Sequence, residues 1–232
     1  MDMLQNADFW LGLMKIIWIN IILSGDNAVV IALAARSLPE HQQRQAIMFG
    51  SGAAVVLRIA LTVVAAALLE LSYLQIVGGL LLLYIGAQLL SEDGDEEEGE
   101  VEKASLFAAI RTILIADLVM SLDNVIGVAA AAKGSMTLLI LGLAISIPLV
   151  VFGSSMMIKL MTRFPIVVTF GACLIGWVGG ETIASDVALR GFAEANPWLH
   201  YTAAAAGALA VLAIGKYFQT KHNPAEDNNE AA

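Results

Sequence analysis

The sequence is poor in cysteine and histidine, the residues that soft metals prefer. Its single cysteine, Cys173, excludes an internal disulfide and any metal cluster built on several cysteines. The three histidines, His41, His200 and His222, fall at predicted helix ends or in the C-terminal tail. A buried metal site built on histidine is therefore not expected.

Charged residues are also scarce: they make up 14% of the 232 residues, whereas hydrophobic residues make up 59%. A soluble domain averages about 25% charged and about 45 to 50% apolar residues. The composition therefore excludes an ordinary soluble domain and predicts an integral membrane protein in a lipid bilayer. The net charge of −9 comes largely from one short loop and the tail, and no nucleic-acid partner is expected.

Seven apolar runs have the roughly 17 to 25 residues that a membrane-spanning helix needs, which predicts an all-α, polytopic bundle of seven transmembrane helices. The predicted spans are 9–35, 47–69, 73–90, 106–132, 136–160, 166–183 and 200–218. We divide the chain into a first three-helix repeat (1–90), an acidic cytoplasmic linker (91–105), a second, inverted three-helix repeat (106–187), a seventh helix with its preceding loop (188–218), and a disordered polar tail (219–232).

Lysine and arginine in the short loops and at the adjoining helix ends lie mostly on one predicted face of the membrane, which marks the cytoplasmic side. These residues are Arg36, Arg44, Lys103, Arg111, Lys159, Arg163, Lys216 and Lys221. The pattern predicts a multi-pass protein with its N-terminus outside and its C-terminus and acidic linker in the cytoplasm.

One polar motif occurs twice inside long apolar runs. The first copy contains Asn20, Ser24, Asp26 and Asn27, and the second contains Asp117, Ser121, Asp123 and Asn124. The two copies are 123 − 26 = 97 residues apart. Asn20, Ser24 and Asn27 are spaced as i, i+4 and i+7, so on an α-helix they share one face, and Asp26 lies beside that face. Asp117, Ser121 and Asn124 have the same spacing, with Asp123 beside them.

The chemistry of the motif points to a cation. A carboxylate inside a membrane helix costs several kcal/mol, about 3 on insertion scales, and marks ion pathways or proton relays by default. Carboxylate, amide and hydroxyl oxygens are the ligands of hard cations such as Mg²⁺, Ca²⁺ and Mn²⁺. We therefore predict that the eight motif residues form a divalent metal site. Interhelical hydrogen bonding is the alternative, above all for Ser24 and Ser121.

The repeat extends beyond the motif. Residues 78–88 in the third predicted helix match residues 171–181 in the sixth, at an offset of 171 − 78 = 93. A repeat unit of three helices crosses the membrane an odd number of times, so the second copy must be inverted, as in many secondary transporters. In such folds the substrate binds near the bilayer midplane between the repeats, where Asp26 and Asp123 would meet.

Two charged residues outside the motif also lie in predicted helices. Arg58 is in the middle of the second span, where we expect a partner carboxylate, with snorkelling as the alternative. Glu181, near the end of the sixth span, is either a third acidic ligand, a gate residue, or a side chain solvated at the membrane interface.

At the two motifs the sequence resembles the TerC family of integral membrane proteins, in particular its short YjbE-type members, within the LysE-like transporter superfamily. The resemblance rests on residues 24–32 and 115–125 and covers essentially all seven predicted helices. It implies seven helices in the inner (plasma) membrane of a bacterium and the handling of divalent metals, chiefly manganese efflux. The family's older association with tellurium resistance fits less well, since two buried carboxylates would repel the oxyanion tellurite.

We therefore expect a secondary transporter, and not an enzyme, that exports Mn²⁺ by alternating access. Proton exchange is one coupling scheme, because carboxylate ligands must lose their protons to bind metal. The ion is cargo, and no resident cofactor is expected. The oligomeric state is open, with a homodimer as one candidate.

Two other functions remain alternatives. A LysE-like exporter of amino acids or other small solutes would need a cation for its substrate's carboxylate, and only Arg58 offers one. An intramembrane aspartyl hydrolase is disfavoured, because Leu23 stands where the Gly-x-Gly-Asp pattern of such enzymes has its first glycine.

Overall fold

A computed structural model describes residues 7–23, 25–68, 71–91, 106–132 and 135–222, and the regular secondary structure in these ranges is helical throughout. The helices are α1 (Ala7–Leu23), α2 (Gly25–Ala35), α3 (Glu40–Leu68), α4 (Leu74–Ser91), α5 (Leu106–Ala132), α6 (Met136–Arg163), α7 (Ile166–Ala184), α8 (Arg190–Ala195) and α9 (Trp198–His222). A short 3-10 turn, Val187–Leu189, precedes α8. The all-α prediction is confirmed.

Five of these helices, α3, α4, α6, α7 and α9, are long and apolar enough to cross a membrane. The 28 residues of α6, for example, extend about 42 Å at 1.5 Å per residue, against a hydrocarbon core about 30 Å thick. The region of the first predicted span, 9–35, contains two described helices: α1, which ends before Ser24, and the shorter apolar helix α2, which begins after it. The count of seven spans stays a prediction.

The boundaries of the other elements differ from the sequence prediction mainly at helix ends. Helix α3 begins at Glu40, ahead of the predicted start at residue 47, and α9 continues to His222, past the predicted end at residue 218. The linker from residue 92 to 105 and the tail from 223 onward lie outside the described residues.

Helix α2 lies at the centre of the main hydrophobic core. Each of its residues from Asn27 to Ala35 is buried. The helix packs against α3, α5, α6 and α7. Small side chains such as Ala28, Ala32 and Ala35 let these neighbours approach closely, which is how membrane helices associate where water exclusion contributes little. The first copy of the polar motif therefore leads directly into the core.

Helix α7 contacts α9 through glycines. A Cβ atom on Gly176 would lie 2.6 Å from the carbonyl oxygen of Gly207, and one on Gly180 would overlap the backbone of Ala203. Real Cβ atoms do not approach other heavy atoms so closely, so side chains larger than hydrogen would force the two helices apart. These glycines set the distance between α7 and α9.

Asp186 joins the end of α7 to the beginning of α4. This side chain is fully buried. Its carboxylate accepts hydrogen bonds from the backbone N–H groups of Tyr73 (2.9 Å), Gln75 (3.0 Å), Ile76 (3.2 Å) and Ala188 (2.8 Å). Burial alone would raise its pKa, but these four donors stabilise the charged form and hold the pKa of Asp186 below its ordinary value. The sequence analysis did not identify this residue.

Candidate ion-binding site

Arg58 and Asp117 form an ion pair inside the bundle, between α3 and α5. The Arg58 Nη2 atom lies 2.6 Å from Asp117 Oδ1, and the two residues are only 5% and 6% exposed. Arg58 Nε also donates to the hydroxyl of Ser121 at 3.0 Å, and that hydroxyl donates to Asp117 Oδ2 at 3.2 Å. The prediction that Arg58 has a carboxylate partner is confirmed. Asp117 and Ser121 share a helix face, as their spacing predicted.

The pair has a clear energetic consequence. Removing two opposite charges from water costs several kcal/mol for each ion, and close pairing with further hydrogen bonds offsets that cost. Here both carboxylate oxygens of Asp117 have partners within the triad. Loss of one partner would leave the other as an uncompensated buried charge, which typically costs about 3 to 5 kcal/mol.

A small cavity of about 20 Å³ borders this ion pair. Its lining residues come from four helices and are Asn27, Ile31, Ser51, Ala54, Val55, Arg58, Asp117, Ser146, Ile147 and Val150. A cavity of about 10 to 15 Å³ can hold one water molecule, so this cavity has room for one water molecule or one ion of similar size. Within the described chain the buried hydroxyl of Ser51 has no hydrogen-bond partner, while that of Ser146 donates to the carbonyl oxygen of Leu143 at 2.6 Å.

Asp26 is a second carboxylate that interacts electrostatically with the pair. It lies in the first turn of α2 and is half-buried, and its Oδ1 atom accepts the backbone N–H of Asn27 at 2.8 Å. Asp26 is near enough to Arg58 and Asp117 for all three charges to interact electrostatically. Three helices, α2, α3 and α5, thus bring two acidic groups and one basic group together.

The remaining predicted site residues are described less fully. Asn27 is buried and lines the cavity, and Asn124 is half-buried on α5. The side chains of Asn20 and Asp123 and all of Ser24 lie outside the described part of the chain. The predicted meeting of Asp26 with Asp123 therefore stays a prediction. Among the described residues, no three His, Cys, Asp or Glu side chains are close enough to hold a metal ion together.

The sequence analysis missed Ser51 and Ser146, although a signal for Ser51 was present. Ser51 precedes Arg58 by 58 − 51 = 7 residues, so both lie on one helix face with Ala54 and Val55 between them. A buried arginine needs polar neighbours, and its own helix face is the first place to look. Ser146 lies in an apolar run with no comparable charge beside it, so the sequence offered no signal there.

A larger cavity of about 600 Å³ lies away from this site, where α7, α8 and α9 meet. Its lining includes Trp177, Glu181, Arg190, Glu194 and His200. Glu181 is exposed here, which fits the interfacial interpretation of this residue. The cavity contains neither copy of the polar motif.

A sequence model of the integral membrane protein TerC family matches residues 5–223, nearly the whole chain. The chain belongs to the TerC family.

The matched range 5–223 contains every described residue and both copies of the polar motif. The similarity to the TerC family therefore extends over all the described helices.

Several curated proteins resemble the chain. The uncharacterized membrane protein YjbE of Bacillus subtilis is 45% identical over 188 residues, covering 81% of this chain and 86% of YjbE. The uncharacterized membrane protein YkoY of the same organism is 24% identical and covers 99% of this chain and 79% of its own length. The inner membrane protein YoaE of Escherichia coli is 24% identical over 79% of this chain but only 39% of its own length. No solved structure matches.

Proposed function

We propose that this TerC-family chain is a secondary transporter that binds a divalent cation between two inverted repeats and exports it, with Mn²⁺ as its main cargo. The observation that carries this proposal is the small cavity whose lining brings the polar side chains of Asn27, Arg58 and Asp117, from three helices, to one place inside the bundle. Ionisable groups buried among membrane helices mark ion pathways by default. We propose transport rather than catalysis.

The residues that line the cavity support the inverted repeat. Three of the four lining residues of α3, Ala54, Val55 and Arg58, correspond to the three lining residues of α6, Ser146, Ile147 and Val150, while Ser51 has no counterpart in the lining. One offset relates the two sets, since 146 − 54, 147 − 55 and 150 − 58 all equal 92. A site formed by equivalent positions of two helices is what an internal two-fold axis through the cavity would produce.

Contacts elsewhere repeat in the same way. A Cβ atom on Gly50 of α3 would lie 2.9 Å from Ile113 Cδ1 of α5, and one on Gly142 of α6 would lie 2.9 Å from Ile16 Cβ of α1. The glycines are 142 − 50 = 92 residues apart, and the isoleucines are 113 − 16 = 97 residues apart, the offset of the two motifs. The α3–α5 contact thus recurs as α6–α1, which supports two copies of one three-helix unit.

The ligand chemistry supports a hard cation as cargo. Oxygen-bearing side chains of Asn27, Ser51 and Asp117 line the cavity, and Asp26 interacts electrostatically with Asp117; such oxygens suit Mn²⁺, Mg²⁺ and Ca²⁺. An amino acid would need far more space than about 20 Å³. The one cation that could attract its carboxylate, Arg58, is already paired. These two features favour a bare ion over a zwitterionic solute.

A transport assay tests this proposal directly. Purified protein in sealed vesicles loaded with Mn²⁺ is expected to release the ion far faster than protein-free vesicles, and cells carrying the protein are expected to hold less manganese under manganese overload. An exposed-site variant, Glu40→Gln, controls for expression and folding. Unchanged manganese content in cells, together with no flux of Mn²⁺, Mg²⁺ or Ca²⁺ in vesicles, would refute metal transport. Flux of an amino acid alone would support the LysE-like alternative.

A further inference from the structure

The ion pair itself suggests how Asp117 is neutralised while the site is unloaded. We propose that Arg58 is a tethered counter-cation, which neutralises Asp117 when no cargo is bound and leaves it when a divalent cation enters. This inference rests on the proposed function and deepens it. It assigns Arg58 the role of a residue that positions and neutralises the cargo-binding carboxylate.

Arg58 and Ser121 occupy the carboxylate oxygens of Asp117 that a cation would bind. Both oxygens of Asp117 already have partners, Arg58 Nη2 at 2.6 Å on one and the Ser121 hydroxyl at 3.2 Å on the other. Arg58 and Asp117 both line the cavity, so a cation there would contact the guanidinium as well as the carboxylate. Binding of a divalent cation to Asp117 and pairing with Arg58 are therefore competing events.

The positive charge of Arg58 also opposes cation binding while it is paired with Asp117. With Arg58 in place, Asp117 is neutralised, and Asp26 is the remaining carboxylate near the pair in the described part of the chain. An incoming divalent ion would meet one uncompensated negative charge and repulsion from the guanidinium, in surroundings that screen charge poorly. Once Arg58 moves away, Asp26 and Asp117 together balance the two positive charges of the ion.

Arg58 has no charged counterpart in the second half of the chain. The position that matches Arg58 in α6 is Val150, which also lines the cavity but carries no charge. The guanidinium is therefore a feature of one half only, at a position whose counterpart in the other half also lines the cavity. A charge needed only to hold α3 against α5 would have no reason to border the cavity between the halves.

The transport consequence follows from the cost of burying charge. A carrier that exports ions must return without cargo, and an unpaired buried carboxylate would make that return costly. Arg58 removes the cost at Asp117 because it supplies the missing positive charge from within the protein. Net export needs this return step, whereas exchange of Mn²⁺ for Mn²⁺ across the membrane does not.

Arg58→Gln tests the proposal because it removes the tethered charge. In vesicles, net Mn²⁺ efflux should fall about tenfold or more, while Mn²⁺ exchange stays close to wild type. Equilibrium binding of Mn²⁺ should tighten about tenfold, within the 5- to 150-fold range typical of two coupled binding events. Arg111→Gln, an exposed arginine on α5, is the matched control and should behave as wild type in all three assays.

Two further variants keep the test decisive if Arg58→Gln folds poorly. Arg58→Lys keeps the charge but lacks the planar fork that bonds Asp117 and Ser121 together, so its pairing should be weaker, and Mn²⁺ binding should tighten severalfold with little loss of folded protein. Arg58→Gln/Asp117→Asn removes both charges and should recover the folded yield while Mn²⁺ binding is lost. Binding as weak as or weaker than wild type in folded Arg58→Lys, or wild-type binding in the double variant, would show that the pair is only structural.

The outcomes separate this inference from the proposed function. If wild-type protein neither binds nor transports Mn²⁺, the proposed function fails, and the inference fails with it. If wild-type protein transports Mn²⁺ but Arg58→Gln loses net efflux and exchange equally, the transport function stands and only the tethered counter-cation is refuted.

Discussion

At the scale of single residues, Asp26 and Asp117 carry the same charge in different surroundings. Asp117 is held by Arg58 and Ser121 in a fully buried triad, whereas Asp26 accepts a backbone N–H and is half-buried. Neutralising Asp117 removes half of an ion pair, while neutralising Asp26 removes a charge whose described hydrogen bond comes from a neutral group. The two changes should therefore have different effects on folding.

We predict that Asp26→Asn and Asp123→Asn each abolish Mn²⁺ transport while the folded protein remains in the membrane. Each change removes a ligand charge without breaking a described ion pair. The double variant should be little worse than either single one, because residues that act as a unit are not additive. Vesicle flux and size-exclusion profiles measure both effects, with Glu40→Gln as the control. Wild-type flux in either single variant would remove that carboxylate from the mechanism.

The structure changes the expectation for Asp117→Asn. From sequence alone this change looks mild, since the matching residue of the first motif is already an amide, Asn20. With Arg58 as its partner, the substitution instead leaves a buried guanidinium without its counter-charge, so we predict a loss of about 3 to 5 kcal/mol of stability. Thermal unfolding in detergent checks this. Arg58→Gln/Asp117→Asn should recover most of the loss, and wild-type stability in Asp117→Asn would contradict the prediction.

At the scale of helices, Asp186 holds two elements that are distant in sequence. Its carboxylate takes three backbone N–H groups at the beginning of α4, where the first N–H groups of a helix have no carbonyl partner of their own, and it lies just beyond the end of α7. Asp186 therefore fixes the beginning of α4 relative to the end of α7, and the two helices pack closely along their length. A change at this residue should loosen the contact along both helices.

We predict that Asp186→Asn costs about 2 to 4 kcal/mol, because buried donors that lose a good acceptor cost about 1 to 3 kcal/mol each. The wild-type contribution should also depend on pH. Since the pKa of Asp186 is lowered in the folded protein, its stabilisation is fully present above the unfolded value of about 4 and is lost as the pH falls through the folded pKa. Melting temperatures of both proteins between about pH 3 and pH 6 measure this. Glu194→Gln, an exposed carboxylate in α8, is the control. Equal melting temperatures of wild type and Asp186→Asn near neutral pH would contradict this role.

At the scale of the whole molecule, the proposed inverted repeat and the orientation depend on each other. An inverted second half requires the linker to join the halves on one side of the membrane, and the distribution of lysine and arginine predicts that this side faces the cytoplasm. The linker carries Glu92, Asp93, Asp95, Glu96, Glu97, Glu98, Glu100 and Glu102. On this orientation, these carboxylates would raise the local cation concentration at the cytoplasmic entrance within about 8 Å.

We predict that single cysteines at Gly94 and Gly99 are protected from an impermeant thiol reagent in intact cells and labelled in inverted membrane vesicles. The background protein needs Cys173→Ser so that each new thiol is the one that reports. A cysteine at Gly191, which lies in α8 on the opposite predicted side, should show the reverse pattern. Labelling of Gly94 or Gly99 positions from outside the cell would overturn the orientation.

The sequence by itself determined the class of the protein and three polar residues that line its candidate site, Asn27, Arg58 and Asp117. Burying carboxylates, amides and charges in hydrocarbon is costly, so long apolar runs and the few polar residues inside them are strong local signals. The all-α architecture, the need of Arg58 for a partner and the shared face of Asp117 and Ser121 could all be read from composition and helical spacing. The offsets of the repeat could be read in the same way.

Only the tertiary structure decided which of these groups meet. Arg58 reaches Asp117 across 59 residues of sequence, and Asp186 reaches Gln75 across 111. Such pairings depend on which helix faces pack together and how closely glycines let them approach, and helical spacing within one segment carries no information about that. Ser146 shows the limit most clearly, since it is an unremarkable serine in its own helix and lines the cavity because α6 packs beside α2 and α3.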